Sequence, residues 1–516
     1  MSEIKQKVII IGAGVSGLTA GIYCLDNGFD VEIYEKHYVP GGECAGWMRK
    51  GQYIDGCAHW IIGTTPNSEL YPLWEHIGAF EGNPEIFSTD SLTNFQLKDG
   101  RWFNWHSDLN LLEKEFNAFF PEDKRAIHGF INACRAYNAT TVPVNKPLDY
   151  MNWFEFLTYG IGLLPMALPF AHYKHVSIRD YVKRFKNEEL RFLFQRFQEP
   201  DYNIHSFIYI CSNFSRGVAG IVEGGSLPLM KRVAETFKRK GGKLFLNKPV
   251  SEVLIENNVA YGIKLENGEE IKGDFVISSG DAHHTLNKLL GGKYRDKDFE
   301  RQFKDKEANP VRSSIMLAYR TPCNMVKYPR MMDFEIDEPF DWLGQHYDHF
   351  AIRNFCFDKS LESKNGETLL TVLLPTNEDV YLNLKALSRE DYLAKKQEIA
   401  DIFTKLILEK TGLKEDELEL IDVTSPLTYE RYTNAYQGAY MSFVITNKTK
   451  GLMRPGIIKG LKNFVLAGQW LMPPGGLPCA LFTGKHAAIR VCKMAKKKFI
   501  NLEGKADRYL NELQIG

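Results

Sequence analysis

Residues 7–35 read KVIIIGAGVSGLTAGIYCLDNGFDVEIYE, and this stretch decides the fold. The run of branched apolar residues at 8–11 predicts a strand that is buried on both faces. Three glycines follow in the spacing G-x-G-x-x-G, at Gly12, Gly14 and Gly17. In such a turn the first glycine permits the tight bend, the second admits a pyrophosphate, and the third lets helix pack against strand.

The residues after the glycines complete a dinucleotide-binding pattern. A helix predicted over 15–27 begins with Val15 and Ser16, so its free N–H groups and its dipole would favour an anion. A second predicted strand at 31–34 ends at Glu35, whose carboxylate can accept hydrogen bonds from ribose hydroxyls. A Gly-rich turn in an ordinary α/β protein is the alternative, but it does not require this order of elements. Because no Arg follows the acid directly, the predicted ligand is FAD or NAD rather than NADP.

The composition is that of an ordinary globular protein. The 516 residues are 44% apolar and 25% charged, and the chain is long enough for two or three domains. Basic and acidic residues number 64 each, which gives no electrostatic case for a nucleic acid partner. The nine cysteines form no C-x-x-C pair, so no metal site is predicted and a reducing compartment is favoured. We therefore expect a cytoplasmic protein, and the oligomeric state is left open.

Two short stretches after the first strands are further site candidates. Gly41 and Gly42, in PGGECAGW, allow a backbone turn pressed against a cofactor, although surface turns also use paired glycines. Residues 53–60 predict a strand broken by a turn, and His59 within them is a candidate catalytic residue. The competing interpretation is a hydrogen-bonded core histidine, which is the commoner role among apolar neighbours.

A second strand–glycine–helix junction occurs near the end of the chain. The predicted strand at 463–468 closes in Gly468, and a predicted helix follows over 479–497. The N-terminus of that helix would face the pyrimidine edge of a flavin. Neither a second G-x-G-x-x-G nor a pair of redox cysteines is present, so no separate NAD(P)H domain is predicted.

The segment 153–171, WFEFLTYGIGLLPMALPFA, is apolar and contains one formal charge, Glu155. Its length approaches that of a membrane-spanning helix, but glycines and prolines interrupt it, so a span is not predicted. It is either a buried lid over an apolar pocket or a segment resting in a membrane interface. The interface is favoured by the flanking residues, which resemble interfacial anchors: Trp153, Tyr159, His172, Tyr173 and Lys174.

Four segments resemble the FAD-dependent carotenoid desaturase, carotenoid isomerase and retinol saturase family, within the wider amine-oxidase-like flavoproteins. They are GAGVSGLTAGIYCLDNGFDVEIYEK with PGGECAGW, IVEGGSLPLMKRVAETFKRKGGKLFLNKPVSEV, SPLTYERYTNAYQGAYMSF and NFVLAGQWLMPPGGLPCALFTGKHAA. The resemblance implies an α/β fold with a discontinuous Rossmann-like FAD-binding domain at 1–75, 217–290 and 455–516. An α+β substrate domain would be inserted at 76–216 and 291–454. It also implies a long apolar substrate, often taken from a membrane.

The same resemblance implies which residues bind the cofactor. The implied set is Gly12, Gly14, Val15, Ser16, Gly17, Glu35, Lys36, Gly41, Gly42, Val250, Gly468, Gln469, Gly475, Gly476 and Leu477. The sequence departs from the family pattern at three places. Glu43 stands where Arg or Lys usually follows the double glycine, Gln469 replaces the usual acid, and the D-x-G motif is Asp55-Gly56-Cys57.

Three functions remain open at this point. The first is an FAD oxidoreductase or isomerase that desaturates, saturates or isomerises C–C bonds of a polyene, retinoid or other lipid. The second is an amine-oxidase-like flavoprotein oxidase acting on a polar amine, and the third is a flavin-binding protein without enzymatic activity. Residues 150–173 are rich in large apolar side chains, with Glu155 as their single acid. This favours an apolar small-molecule substrate, together with peripheral membrane contact.

Overall fold

The computed structural model describes residues 5–57, 60–451 and 453–504. The strands are β1 (Lys7–Ile11), β2 (Asp30–Tyr34), β3 (Gly46–Arg49), β4 (Gln52–Asp55), β5 (Ile61–Ile62), β6 (Ile86–Phe87), β7 (Ser91–Gln96), β8 (Trp102–His106), β9 (Ala219–Val222), β10 (Lys243–Phe245), β11 (Val250–Glu256), β12 (Val259–Leu265), β13 (Glu270–Lys272), β14 (Phe275–Ser278), β15 (Ser313–Thr321), β16 (Met331–Trp342), β17 (Gln345–Asn354), β18 (Thr368–Thr376), β19 (Glu419–Thr424) and β20 (Phe464–Leu466). The helices are α1 (Val15–Asp26), α2 (Tyr71–His76), α3 (Leu109–Phe119), α4 (Lys124–Tyr137), α5 (Trp153–Gly162), α6 (Leu164–Tyr173), α7 (Ile178–Tyr181), α8 (Glu188–Phe197), α9 (Ile204–Ser215), α10 (Ser226–Arg239), α11 (Ala282–His284), α12 (Lys297–Lys304), α13 (Glu378–Ala386), α14 (Arg389–Thr411), α15 (Pro426–Thr433) and α16 (Gly476–Met494).

A five-stranded parallel sheet, in the order β10-β2-β1-β14-β20, forms the dinucleotide-binding part of the fold. Both faces of β1 are buried, as its apolar run predicts. Val8 and Ile10 pack in the core that includes α1, α10 and α16. Ile9 and Ile11 pack on the opposite face, with the antiparallel sheet β11-β12-β13. The predicted α/β, Rossmann-like fold class is confirmed.

A seven-stranded sheet, in the order β19-β15-β18-β17-β16-β7-β8, forms the second layer. Its strand pairs are antiparallel except for β16 and β7. One face packs on α14, and the other turns toward the β3–β4 hairpin of the dinucleotide-binding part. Within this sheet β15 and β18 pair along their whole length, from Ser313 opposite Thr376 to Thr321 opposite Thr368.

Helices α3 to α9 build a third, aromatic-rich layer beside these sheets. Trp105 from β8 lies at its centre, with its ring 5.1 Å from the rings of Phe116, Phe194 and Phe207. These side chains are fully buried, which accounts for the dense aromatic content of this part of the sequence.

The apolar segment 153–171 forms two helices that meet at a bend of 72°. Asn152 caps α5 together with Glu155, whose carboxylate accepts the Asn152 N–H at 2.8 Å. The bend lies at Leu163, while Pro169 is inside α6 rather than at a break. Within the described ranges, no single helix is long and apolar enough to cross a bilayer, and only this bent pair qualifies by length and composition.

Candidate functional site

A cavity of about 1300 Å³ runs from the C-terminal edge of the five-stranded sheet to helices α5 and α6. At the sheet its wall includes Gly12 after β1, Ser279 after β14 and Gly468 after β20. Ligands of open α/β sheets bind at this edge. At the far end the wall includes Tyr159 and Met166. Because common small-molecule sites occupy roughly 300–1,000 Å³, the cavity has room for a dinucleotide and a second ligand.

The turn between β1 and α1 leaves an open anion site at one end of this cavity. Gly12 has φ +96°, a conformation that other residues rarely adopt. Gly14 has an ordinary backbone, and a Cβ on it would lie 3.8 Å from the Gly41 carbonyl oxygen, which is normal contact. The protein itself therefore does not require a glycine there. Helix α1 has no capping side chain, so the N–H groups of Val15 and Ser16 are left for a ligand.

Glu35, at the end of β2, anchors the same turn. Its carboxylate accepts the Ala13 N–H at 2.7 Å and the His37 N–H at 2.8 Å. A carboxylate has about four acceptor positions, so lone pairs remain for ligand hydroxyls. The adjacent Lys36 also lines the cavity, but its ammonium donates to the Asn434 side-chain oxygen at 2.6 Å. It also donates to the Arg431 carbonyl oxygen at 2.9 Å, so the chain already provides this lysine with two partners.

The double glycine lies directly against the first turn. The Gly41 N–H donates to the Ala13 carbonyl at 2.9 Å, and Gly41 and Gly42 have φ +132° and +60°. Both line the cavity, as does Val250 at the start of β11. The stretch that was predicted from its paired glycines is thus part of the cavity wall rather than a remote surface turn.

The C-terminal junction closes the cavity on the other side of the sheet edge. Gly468 follows β20 with φ +122°, and the Gln469 side-chain oxygen accepts the Gly476 N–H at 3.0 Å. Gly475 has φ +92° and precedes α16. Leu477, in the first turn of α16, joins these residues in the wall. The amide at position 469 thus holds the turn into α16, a role open to an amide as well as to an acid.

Two predicted residues stand apart from this arrangement. Gly17 does not line the cavity, and a Cβ on it would lie 2.1 Å from the Gly12 carbonyl oxygen. Its hydrogen side chain is therefore needed for helix–strand packing, so this glycine shapes the turn without facing the ligand space. The candidate catalytic residue His59 lies outside the described residues. Gly56 and Cys57, which precede it in the sequence, line the cavity.

Two acids face the sheet end of the cavity. Burial, with the nearby charge of Asp281, raises the pKa of Glu43 to about 8, although the Thr433 hydroxyl donates to it at 3.3 Å. Burial also raises the pKa of Asp281 to about 6, while the N–H groups of His284 and Tyr436 lower it by hydrogen bonding. Glu43 is therefore mainly neutral at pH 7 and Asp281 mainly charged.

The wall formed by α5 and α6 is apolar. Tyr159, Leu163, Met166 and Phe170 recur at helical spacing along the two helices, and all four line the cavity. The opposite wall, on the seven-stranded sheet, contains charged side chains, which a purely apolar substrate would not need. There Asp333 accepts from the buried Arg196 Nε at 2.6 Å.

The residues of the sheet edge fit FAD. Open N–H groups at α1 suit a diphosphate, glycines keep the space beside them clear, and Glu35 retains acceptors for a ribose. Glu43, which replaces the basic residue of the family pattern, opposes a phosphate only weakly at neutral pH because its carboxyl is mostly protonated. The cavity then continues past the site toward the apolar wall, which leaves space for a substrate.

Some wall residues were not predicted from the sequence. Asp281 lies just beyond the buried strand β14, and its position after a strand at the ligand edge was a usable signal. Arg353 lies in β17, where no motif marks it, because its place in the wall depends on pairing between distant strands.

Comparison with known proteins agrees with this geometry. The chain is 24% identical over 513 residues to the 4,4'-diapophytoene desaturase (4,4'-diapolycopene-forming) of Methylomonas sp, covering 96% of each protein. It is 24% identical over 510 residues to prolycopene isomerase 1, chloroplastic, of an Oncidium hybrid cultivar, covering 94% of this chain and 84% of that protein. The crystal structure of an oxidoreductase from Methanosarcina mazei has the same fold, with a TM-score of 0.60 at 16% identity, covering 93% of this chain and 99% of the other.

A family profile covers nearly the whole sequence. The family described as "Flavin containing amine oxidoreductase" matches residues 15–492, a range that begins just after Gly14 and includes helix α1, the C-terminal glycine-rich junction and most of the cavity wall. The predictions of FAD as cofactor and of an FAD-dependent enzyme are confirmed. The chain belongs to the family of flavin-containing amine oxidoreductases.

Proposed function

We propose that the protein desaturates, saturates or isomerises C–C bonds of a long, largely apolar substrate such as a carotenoid, a retinoid or another unsaturated lipid. The observation that carries this proposal is the continuous cavity, which joins the flavin end of the fold to the apolar wall of α5 and α6. Similarity to a diapophytoene desaturase and a prolycopene isomerase over almost the whole chain supports the same substrate class.

The chain's own residues would bind and orient the two ligands. When bound, FAD supplies the capacity to accept a hydride from carbon or to return one. Tyr159, Leu163 and Met166 would hold the substrate chain by apolar contact and exclude water around it. The protein's contribution is thus to fix one C–C bond of a flexible chain at the flavin end of a dry cavity.

Anaerobic reaction of the purified holoprotein with a substrate panel tests this function. The oxidised and the dithionite-reduced protein are each mixed with carotenoids, retinoids, unsaturated fatty acids and primary amines. Flavin absorbance near 450 nm and the double bonds of the product are followed. We expect a lipid of the panel to change the flavin's redox state, or to isomerise on the reduced protein. Rapid bleaching by an amine, with no response to any lipid, would establish the amine-oxidase alternative instead.

We also propose that the predicted cofactor residues in the cavity wall hold FAD, with Glu35 on the adenosine ribose. Glu35→Ala should then weaken FAD binding about 10- to 100-fold, because the equivalent of one charge-assisted hydrogen bond, worth roughly 1.5–3 kcal/mol, is lost. The variant also frees the N–H groups of Ala13 and His37. Reconstitution of apoprotein with FAD, followed by flavin fluorescence, gives the Kd. Glu35→Gln keeps the size and one acceptor and should lose less, whereas an unchanged Kd in the Ala variant would refute the assignment.

Retention of FAD should depend on pH through Glu43. Its pKa of about 8 means that the carboxyl is neutral at pH 7 and becomes charged as the pH rises to 9, while Asp281 is already charged across this interval. A new negative charge near the diphosphate should speed FAD dissociation about tenfold. Dilution of the holoprotein into buffer at pH 7 or pH 9, followed by flavin fluorescence, measures this rate. In Glu43→Gln the dissociation rate should be nearly independent of pH. If the variant keeps the pH dependence of the wild type, a group other than Glu43 causes it.

We propose, finally, that α5 and α6 rest in a membrane interface. Their outward faces are apolar as well as their cavity faces: Trp153 is 77% exposed and Leu168 83% exposed. Each helix has 10 residues and is about 15 Å long, half of a bilayer's hydrocarbon core of roughly 30 Å. Lys493 lies 3.7 Å from the ring centroid of Tyr150, just before α5, and the exposed run Lys496–Lys498 follows it. This basic charge would attract anionic lipid.

A further inference from the structure

Arg353 is a buried guanidinium in the cavity wall formed by the seven-stranded sheet, and no residue of the described ranges forms an ion pair with it. It lies near the end of β17, is 7% exposed, and its Nε is buried without any hydrogen bond. Within residues 5–57, 60–451 and 453–504, no carboxylate forms an ion pair with it. Its strand neighbour Ile352 packs into the core on the far face of the sheet, so the alternation of the strand directs Arg353 toward the cavity.

Two other arginines of the same wall are neutralised by acids. Arg196 donates to Asp333 at 2.6 Å, and the Nε of Arg49 lies 3.3 Å from the carboxylate of Asp422. The acid with the largest electrostatic effect on Arg353 is Asp55, yet the two do not form an ion pair. Asp55 instead accepts the Ser226 N–H at 3.1 Å, at the start of α10. The fold thus uses the nearest acid to anchor a helix and leaves the guanidinium available.

A buried, unpaired cation is costly, because the charge has lost water without gaining a counter-charge. Burial accordingly lowers the pKa of Arg353 to about 10, so the group is still charged at neutral pH. The cost is offset when an anion enters the cavity with a ligand. A guanidinium presents two parallel N–H donors, which match the two oxygens of a carboxylate better than any other side chain does.

The surroundings of Arg353 define the rest of the ligand. Its partner across β16 is Met331 and its partner across β18 is Thr371, while Met316 and Ala351 lie in the same wall. The cation therefore has three apolar neighbours and one hydroxyl beside it on the sheet. From there the cavity extends to Tyr159 and the other apolar residues of α5 and α6. We propose that Arg353 binds a terminal carboxylate of the substrate, which is therefore an apolar chain that ends in a carboxylic acid. This inference rests on the proposed function and narrows its substrate class.

Binding of matched acid and ester probes tests the proposal without turnover. Holoprotein with oxidised flavin is titrated anaerobically with palmitate and with methyl palmitate, by calorimetry and by perturbation of the flavin visible band. We expect palmitate to bind about 10- to 100-fold more tightly than the ester, the effect of a charge-assisted bidentate contact. Arg353→Met should abolish this difference, and Arg353→Lys should retain part of it. The control Arg389→Met removes an exposed charge from the cavity rim and should keep the full difference.

Each alternative result has a definite meaning. Equal affinity of the wild type for acid and ester, no binding of palmitate, or full discrimination in Arg353→Met would overturn the proposal. The ratio of absorbance at 450 and 280 nm and the Tm show whether the variants are folded and loaded. If Arg353→Met shifts the flavin midpoint potential while discrimination persists, the arginine serves the flavin and not the substrate. Failure of the lipid reaction with preserved acid discrimination would refute the proposed reaction while leaving the carboxylate site intact.

Discussion

Gly14→Trp should give a folded protein that retains no FAD. A Cβ at this position would meet only ordinary contacts, 3.8 Å from the Gly41 carbonyl oxygen and 3.9 Å from the Gly42 Cα, and the backbone φ of −75° suits any residue. The indole, however, would extend into the cavity at the N-terminus of α1, where the diphosphate is expected to bind. Loss of the cofactor would therefore report exclusion of the ligand rather than damage to the fold.

The ratio of absorbance at 450 and 280 nm measures this loss directly, and the Tm in the absence of added FAD measures folding. Gly129→Trp is a matched control, because Gly129 is exposed on α4 and a Cβ there meets nothing within 4 Å. The control should carry a full complement of flavin. Full occupancy in Gly14→Trp would show that the first turn is not the diphosphate site.

Replacing Trp153, Phe154 and Phe156 by Ser should lower binding to anionic liposomes at least about 100-fold. Full burial of one large apolar side chain contributes roughly 1.5–3 kcal/mol, so even partial burial of three gives this effect. The three side chains are exposed and fill no core position in the described structure, so their replacement should leave the Tm almost unchanged. Flotation at low ionic strength provides the measurement.

As a control, three exposed leucines elsewhere on the surface are replaced by Ser: Leu111, Leu382 and Leu393. This variant shows whether loss of any three exposed apolar side chains would lower liposome binding. These residues lie on α3, α13 and α14, away from α5, and the variant should float like the wild type. Wild-type protein that stays in the aqueous fraction with anionic liposomes would assign α5 and α6 to a lid or to another partner.

The parts of the site that sequence predicts well are the ones encoded within a few residues. The turn from β1 into α1 needs glycines at fixed spacing because backbone and ligand approach each other there, and Glu35 has to follow at the end of the next strand. The strand–glycine–helix junction at Gly468 is local in the same sense. Local geometry of this kind constrains residue types directly, so the pattern predicts both the fold and the cofactor.

The cavity wall on the seven-stranded sheet depends on contacts between distant parts of the chain, which no local pattern contains. Arg353 faces the cavity because β17 pairs with β16 and β18, and Arg196 meets an acid from another element. The prediction that glycines and prolines interrupt 153–171 was only partly right, because the segment bends at Leu163 but continues through Pro169. Pro169 fits inside α6, in a helix exposed to solvent where a lost N–H bond is tolerated, so the two helices and their bend are not evident from composition.

The order of strands in the parallel sheet has a consequence for biosynthesis. β1 and β2 emerge first from the ribosome, whereas their sheet is complete only when β20 at 464–466 and the following α16 have been made. At about 5–20 residues per second, the first apolar strands wait for tens of seconds before β20 completes their sheet and α16 covers the core that holds Val8 and Ile10. The seven-stranded sheet is synthesised entirely within that interval. We therefore expect nascent chains to need chaperone protection of β1, and FAD to be captured only after α16 has been synthesised.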